Sequence, residues 1–402
     1  MDTRKVVLAY SGGLDTSVAI PWIKENYEAE VIALTIDLGE GKNLPEIRNK
    51  ALKTGASAAF IVDGRDSFIS DFVFPTLQAG AMYEGVYPLA TALGRPLIAK
   101  HLVDVAVREG AYAVAHGSTG KGNDQVRFDV SIMVLAGSRK LEIIAPAREW
   151  DMNRETEREY ARKRDIPVPE KKGRVFSVDE NLWGRSIEGE DLENPWDEPP
   201  EDAFAWTKPV AQTPDSPLFI EVSFERGLPV ALDGEELGGV ALIQQLNRSG
   251  GEQGVGRIDH LENRHVGIKS REVYEAPAAV MLHTAHRALE AMVLTREQLR
   301  IKERLSQEYA DIVYNGLWYS ALRQDLNAYF QSTQRFVSGA IRLKLHKGNC
   351  TVVGRRSPYS LYSFGLATYG KGDSFDHRAA KGFINIFGLP VKNQAEKQPY
   401  QE

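Results

Sequence analysis

Ser11-Gly12-Gly13-Leu14-Asp15-Thr16-Ser17 packs two glycines, three hydroxyls and a carboxylate into seven residues, just after the apolar run Val6-Val7-Leu8. Glycine permits positive φ and lets an anion approach the main chain closely. A helix that begins here adds unpaired N–H groups and the positive end of its dipole. The implied chemistry is a backbone cup for phosphate or pyrophosphate, running from Ala9 and Tyr10 to Ser17. It is not a Walker A loop, because the G-x-x-x-x-G-K-[ST] spacing is absent and the motif carries no lysine. Nor is it a dinucleotide fingerprint, since no G-x-G-x-x-G follows Val6-Val7-Leu8.

A second constellation is His116-Gly117-Ser118-Thr119-Gly120-Lys121-Gly122-Asn123-Asp124-Gln125-Val126-Arg127. Its glycines allow close backbone approach, and a hydroxyl, an amide, a carboxylate and a guanidinium stand between or beside them. Asp124 is positioned to cap the helix that follows, and Arg127 sits one turn into it. Lys121 offers a point charge. Two other features read as ordinary structure. His283 and His286 have ligand-like spacing but no supporting carboxylate or Cys nearby, so a helix surface is expected. Cys350 falls in a hairpin, where buried packing is expected.

The elements that must position these groups alternate. Residues 6–9, 31–36, 58–62, 111–115 and 141–145 read as apolar strands, and 16–27, 96–109 and 124–135 as helices. Asn43-Leu44-Pro45-Glu46 opens a further helix that ends at Gly55. This rhythm implies a doubly wound parallel sheet whose ligands lie beyond the carboxyl ends of the strands. Pro21 should kink the first helix. Residues 194–217 hold six prolines and read as an extended connection. Strands at 219–225 and 230–232 follow, then helices at 239–247 and 278–294. Thr295-x-x-Gln298 is a capping box, and Lys347-Gly348-Asn349 turns a hairpin. The expected domains are 1–168, 169–388 and a polar tail, 389–402, disordered or docked on a neighbouring subunit.

Composition narrows the function. A chain of 402 residues suggests two to three domains. Its net charge of −6 argues against a large phosphate-backbone footprint, so no nucleic-acid partner is expected. The single cysteine excludes an intrachain disulfide framework, a Cys-rich zinc site and C-x-x-C redox chemistry. The first residues lead into an apolar stretch too short for a signal peptide, and no apolar run approaches the roughly 20 residues that span a bilayer. A cytoplasmic enzyme with no membrane partner is the expectation.

Ser11–Ser17 resembles the PP-loop of the ATP pyrophosphatases, which split ATP between its α- and β-phosphates. The resemblance narrows over the whole chain. His116–Arg127, Phe176-Ser177-Val178-Asp179-Glu180-Asn181-Leu182 and Gly254-Val255-Gly256-Arg257-Ile258-Asp259 are similar to the argininosuccinate synthase family. So are Glu262-Asn263-Arg264, Lys269-Ser270-Arg271 and Val273-Tyr274-Glu275. Two readings compete with it. Another PP-loop ligase would need a placed nucleophilic Cys or a basic face, and a non-catalytic nucleotide-binding regulator would have little use for His116–Arg127.

The resemblance implies an α/β fold: a doubly wound PP-loop nucleotide-binding domain, an α+β synthetase domain and a C-terminal helical or tail segment. It implies a ligase for arginine biosynthesis that joins L-citrulline to L-aspartate through citrullyl-AMP, releasing AMP and pyrophosphate. ATP and Mg²⁺ carried by the nucleotide would be required. The assembly would be a homotetramer with intertwined C-terminal segments. By position, Ala9, Tyr10, Ser11, Gly12, Gly13, Leu14, Asp15, Thr16, Ser17, Ile36 and Gly117 would hold ATP. Thr119, Asn123 and Asp124 would hold aspartate. Tyr87, Asn123, Arg127, Ser177, Ser186, Glu262 and Tyr274 would hold citrulline. Asp15, Asp124 and Arg127 would act in catalysis. Ala92 stands where relatives often carry a citrulline-contacting Ser and is left outside the site.

Overall fold

A computed structural model describes residues 4–150, 152–167 and 176–399. The expected boundary at 168/169 lies outside the described residues. The chain separates into two compact units, Met1–Tyr359 and Ser360–Glu402.

Five parallel strands form the first sheet: β1 (Lys5–Ala9), β2 (Glu30–Asp37), β3 (Ala58–Asp63), β4 (Ala113–Ala115) and β5 (Glu142–Ile144), in the order β3-β2-β1-β4-β5. Alternation along β1 explains its continuous apolar run. Val7 packs with Ile32 and Leu34 on one face. Val6 and Leu8 pack with Val31 and Ala33 on the other. Each such fully buried Val, Leu or Ile side chain contributes about 1.5–3 kcal/mol. The chain steps outward from β1 to β2 and β3, then crosses back to β4 on the other side of β1, so the carboxyl ends of β1 and β4 flank the switch point where a crevice opens.

The expected helices form in order. Helix Leu14–Tyr27 carries Pro21 inside it. Helix Ala90–Glu109 begins six residues before the expected start and runs through Pro96. Packing overrides the proline there, because Leu93, Gly94 and Leu97 are all buried. Gly94 has no room for a side chain without crowding, since a Cβ would stand 3.1 Å from Leu38. Helix Leu44–Lys53 starts as its sequence says, with Asn43 Oδ1 accepting the Glu46 N–H at 3.3 Å.

The rest of the first unit carries two antiparallel sheets. Its strands are β6 (Ser177–Asn181), β7 (Gly184–Glu188), β8 (Leu218–Glu225), β9 (Leu228–Leu232), β10 (Glu235–Glu236), β11 (Arg257–Asn263), β12 (Lys269–Glu275), β13 (Gly339–His346) and β14 (Asn349–Arg356). One sheet is ordered β10-β9-β8-β13-β14 and the other β11-β12-β7-β6. The proline-rich connection is pinned in place. Glu275, fully buried, accepts the backbone N–H groups of Ala205, Trp206 and Thr207 at 2.8–2.9 Å. Helix Arg296–Tyr314 opens with the capping box at Thr295 and Gln298.

In the second unit, residues after 388 form helix Leu389–Lys397 with Pro390 in its first turn, where a missing N–H costs no hydrogen bond. No helix among the described residues is long and apolar enough to cross a membrane.

Candidate functional site

The cup forms because β1 stops at Ala9 and the next helix starts at Leu14. Tyr10 continues the strand by donating its N–H to Leu34 O at 2.9 Å. Gly12 then takes φ +79°, a conformation that favours glycine. Hydroxyls lock the turn. Ser11 Oγ accepts the Gly13 N–H at 3.3 Å and lies 3.2 Å from Thr16 Oγ1. Ser17 is fully buried and bonded to the Tyr10 hydroxyl at 3.0 Å. It therefore braces the loop from behind, while Ala9, Tyr10, Ser11, Gly12, Gly13, Leu14, Asp15 and Thr16 line the crevice.

That crevice is a cavity of about 850 Å³. Ile36 from the end of β2 and Gly117 and Thr119 from the loop after β4 continue its wall. His116 shapes this loop. Its Nε2 is 2.7 Å from Asp129 and its Nδ1 accepts the Ser118 N–H at 3.2 Å. Lys121 is exposed and outside the lining.

Asp124 departs from the expected cap. The residue before the first helical turn is Asn123, with no side-chain cap, and Asp124 lies within the helix. Its carboxylate instead accepts from Arg95 Nε and Arg127 Nη1, both at 2.9 Å. Burial would raise its pKa, but the two guanidiniums hold it below the usual carboxylate value. Arg95 also pairs with Asp179 of β6.

Arg127 is nearly fully buried. Its Nε donates to the Tyr314 carbonyl at 2.9 Å, and its Nη2 has no hydrogen-bond partner among the described residues. A buried guanidinium with a donor left open is poised for an acceptor that the protein does not supply.

The far wall is one face of the β11-β12-β7-β6 sheet. Register aligns Tyr274 with Ser186, and Ser186 with Asp179, across three strands. Ser177 is opposite Glu188, and Glu262 opposite Ser270. Side chains two apart share a face, so Ser177 and Asp179, Ser186 and Glu188, and Glu272 and Tyr274 all point into the cavity with Glu262. Glu262 accepts hydrogen bonds from the Tyr274 and Tyr314 hydroxyls. Burial pushes both phenols above their usual pKa, and Glu262 adds to it. Tyr87 stacks on Tyr274 with ring centres 4.4 Å apart and takes the Thr91 N–H on its hydroxyl at 3.0 Å. Ala92 is buried outside the lining, and Thr91 lines the wall. Arg264 ties Glu188 to Glu272. Burial, reinforced by Glu188, raises Glu272 to about 7.

Asn123 joins the two halves. Its Nδ2 donates to the Tyr314 hydroxyl at 2.7 Å, and its Oδ1 accepts the His265 N–H at 2.9 Å. Of the expected site residues, all but Ser17 line this cavity.

Lys50, Arg95, Asp179, Glu188, Arg264, Glu272 and Tyr314 escaped the sequence reading. A period-2 signal was available for some, in Ser177-x-Asp179, Ser186-x-Glu188 and Ser270-x-Glu272-x-Tyr274, but polar alternation does not announce a strand. Tyr314 has no local signal at all.

Two other expectations change. His286 is buried and His283 half-buried in helix Pro277–Val293, not on an open surface. The helix packs nearly all round, and His286 Nε2 is satisfied by Gln334 at 2.8 Å. Burial drives His283 down to about 3. No group of three potential metal ligands occurs among the described residues. Cys350 is half-buried, and burial pushes its thiol up to about 11, which disfavours the nucleophilic thiolate.

Comparison with known proteins agrees along the full chain. A family model described as "Arginosuccinate synthase N-terminal HUP domain" matches residues 5–167. One described as "Arginosuccinate synthase C-terminal domain" matches residues 176–394. The argininosuccinate synthase of Dehalococcoides mccartyi is 60% identical over 400 residues, covering 100% of this chain and 98% of that protein. That of Gloeobacter violaceus is 58% identical over 397 residues, with 98% and 99% covered. That of Symbiobacterium thermophilum is 56% identical over 399 residues, with 99% of each covered.

Proposed function

We propose how this chain, which belongs to the argininosuccinate synthase family, divides its reaction between the two halves of the cavity. The chain is a ligase that joins L-citrulline to L-aspartate with ATP in arginine biosynthesis. The finer reading is a two-step route. The ureido oxygen of citrulline attacks the α-phosphate, forming citrullyl-AMP and releasing pyrophosphate into the cup. The neutral amine of aspartate then attacks the ureido carbon, and AMP leaves with the bonding pair.

The observation that carries this reading is the open Nη2 of buried Arg127, set between Asp124 and the Glu262–Tyr274–Tyr314 cluster in one cavity with the cup. Citrulline and aspartate both bring carboxylates, and citrulline also brings a carbonyl-type oxygen. Arg127 suits such acceptors. Glu262, with Ser177 and Ser186, suits the citrulline amino-acid end, and Tyr87 and Tyr274 wall it. Asp124, with Asn123 and Thr119, suits aspartate. Ile36 and Gly117 flank the nucleotide, and residues 9–17 take the phosphates. Catalysis is then mostly positioning and charge stabilisation.

Mg²⁺ brought by the nucleotide fits Asp15, which lines the cavity beside the buried Glu157 carboxyl, whose Oε1 lacks a partner. Bound there with the phosphates, the ion would supply positive charge to the leaving group. A cytoplasmic homotetramer completes the reading.

The test is a steady-state assay of AMP and pyrophosphate release with each substrate omitted in turn. Release should require citrulline, and full turnover should require aspartate as well. Production of ADP, or turnover without citrulline, sinks the two-step reading.

A further inference from the structure

The phosphate cup contains a cation that its own motif lacks. Lys50, in the last turn of helix Leu44–Lys53, donates from Nζ to the Gly12 carbonyl at 2.6 Å and lines the cavity. Ile47 touches the same residue from the same helix, 3.2 Å from where a Cβ on Gly12 would stand. A spacing of three places both side chains on one helical face. This helix is therefore seated directly on the cup, with an apolar contact and a charged one.

Of the other basic groups that line the cavity near the cup, Arg154 acts through space on Glu157, and two are tied up. Lys42 is paired with Glu40, and Arg95 with Asp124 and Asp179. Lys50 is not. Glu46, one turn back, acts on it through space, and among the described residues no carboxylate pairs with it. An ammonium has three N–H donors. Gly12 takes one, which leaves two beside a loop of backbone donors. An uncompensated, half-buried ammonium in that position is matched by an anion with several acceptor oxygens.

We propose that Lys50 is a pyrophosphate-binding residue, gripping the leaving group directly while its third N–H holds the Gly12 carbonyl turned away from the anion. This rests on the reading of residues 9–17 as the pyrophosphate site. The bond to Gly12 also gives Lys50 its orientation. The carbonyl it engages belongs to the residue with φ +79°, so the same contact steadies the turn at the glycine of the cup.

The experiment is calorimetric titration of the full-length protein with inorganic pyrophosphate and, separately, with AMP. Wild type is compared with Lys50→Met, which keeps the aliphatic stem, and Lys50→Arg, which keeps the charge. Loss of one charge-assisted hydrogen bond predicts a fall of roughly tenfold or more in pyrophosphate affinity for Lys50→Met. AMP affinity should change less than twofold, and Lys50→Arg should recover most of the loss. Equal pyrophosphate affinity in wild type and Lys50→Met overturns the proposal. Equal weakening of AMP and pyrophosphate also overturns it, because Lys50 would then be only a prop for the loop. Wild-type protein that binds no pyrophosphate defeats the reading of the cup itself. Should Lys50→Met fail to fold, Lys50→Gln is titrated in its place against the same outcomes.

Discussion

Tyr314→Phe removes one oxygen atom and tests how the two halves of the cavity are coupled. The hydroxyl donates to Glu262 and accepts from Asn123 Nδ2 at 2.7 Å. Phenylalanine keeps the ring, whose stack on Tyr83 has centres 3.5 Å apart and planes within 4°. It also keeps the backbone carbonyl that receives Arg127 Nε. The fold should therefore survive, while Glu262 loses one of its two tyrosine donors and Asn123 loses an acceptor. A hydrogen bond to a charged group is worth about 1.5–3 kcal/mol. If it orients Glu262 toward citrulline, kcat/KM for citrulline should drop about 10- to 100-fold. The KM for ATP should move less than about threefold on the same reasoning, because no Tyr314 contact reaches the cup. Steady-state release of pyrophosphate, with each substrate varied in turn, measures both. A citrulline effect below about threefold, or an equal effect on ATP, would refute the reasoning.

Asp124→Ala leaves Arg95 and Arg127 each short of a carboxylate. It should cut aspartate-dependent product formation by at least about tenfold, and reduce citrulline-dependent ATP–pyrophosphate exchange less. Equal losses in the two assays would contradict the role given to Asp124. Gly12→Val forces a β-branched residue to φ +79° with its Cβ 3.2 Å from Ile47. ATP affinity should fall while circular dichroism stays native, and unchanged affinity counts against the cup. Glu157 is raised from 4.5 to about 8 by burial and then by Asp15. Because its folded pKa exceeds the unfolded one, its contribution to stability is complete below about pH 4.5 and lost as pH rises to about 8. The Tm of wild type should therefore fall relative to Glu157→Gln between pH 5 and 8, and a constant difference would exclude the effect.

The first sheet was legible because its central strands β1 and β2 are apolar on both faces, and helix Leu44–Lys53 because it opens at Asn43. The cup was legible because Gly12 and Gly13 sit where strand becomes helix. The β11-β12-β7-β6 sheet was not, because its cavity face carries Glu, Asp and Ser where a strand reading looks for apolar residues. Helix Ala90–Glu109 was cut short because Pro96 is an unfavourable interior residue, and only the buried Leu93 and Leu97 outweigh it. The cap offered by Asp124 does not form because its carboxylate is taken by Arg127 one turn on and by Arg95, 29 residues away. Lys50 and Tyr314 were missed for the same reason: their roles are set by distant chain segments.

Those chain separations also give the two halves of the cavity different histories. The contacts that shape the cup join Tyr10 to Thr35 and Gly12 to Lys50, 25 and 38 residues apart. Those that shape the amino-acid end join Asn123 and Arg127 to Tyr314, 191 and 187 residues apart. Long loops close slowly, and synthesis delivers the N-terminal part first. On the proposed assignment of the two halves, a growing chain would acquire its phosphate grip before it could hold an amino acid, and would stay chemically idle until Tyr314 docks. Pulsed hydrogen exchange during refolding should protect the amides around Gly12 before those around Tyr314, and the reverse order would disprove this sequence of events.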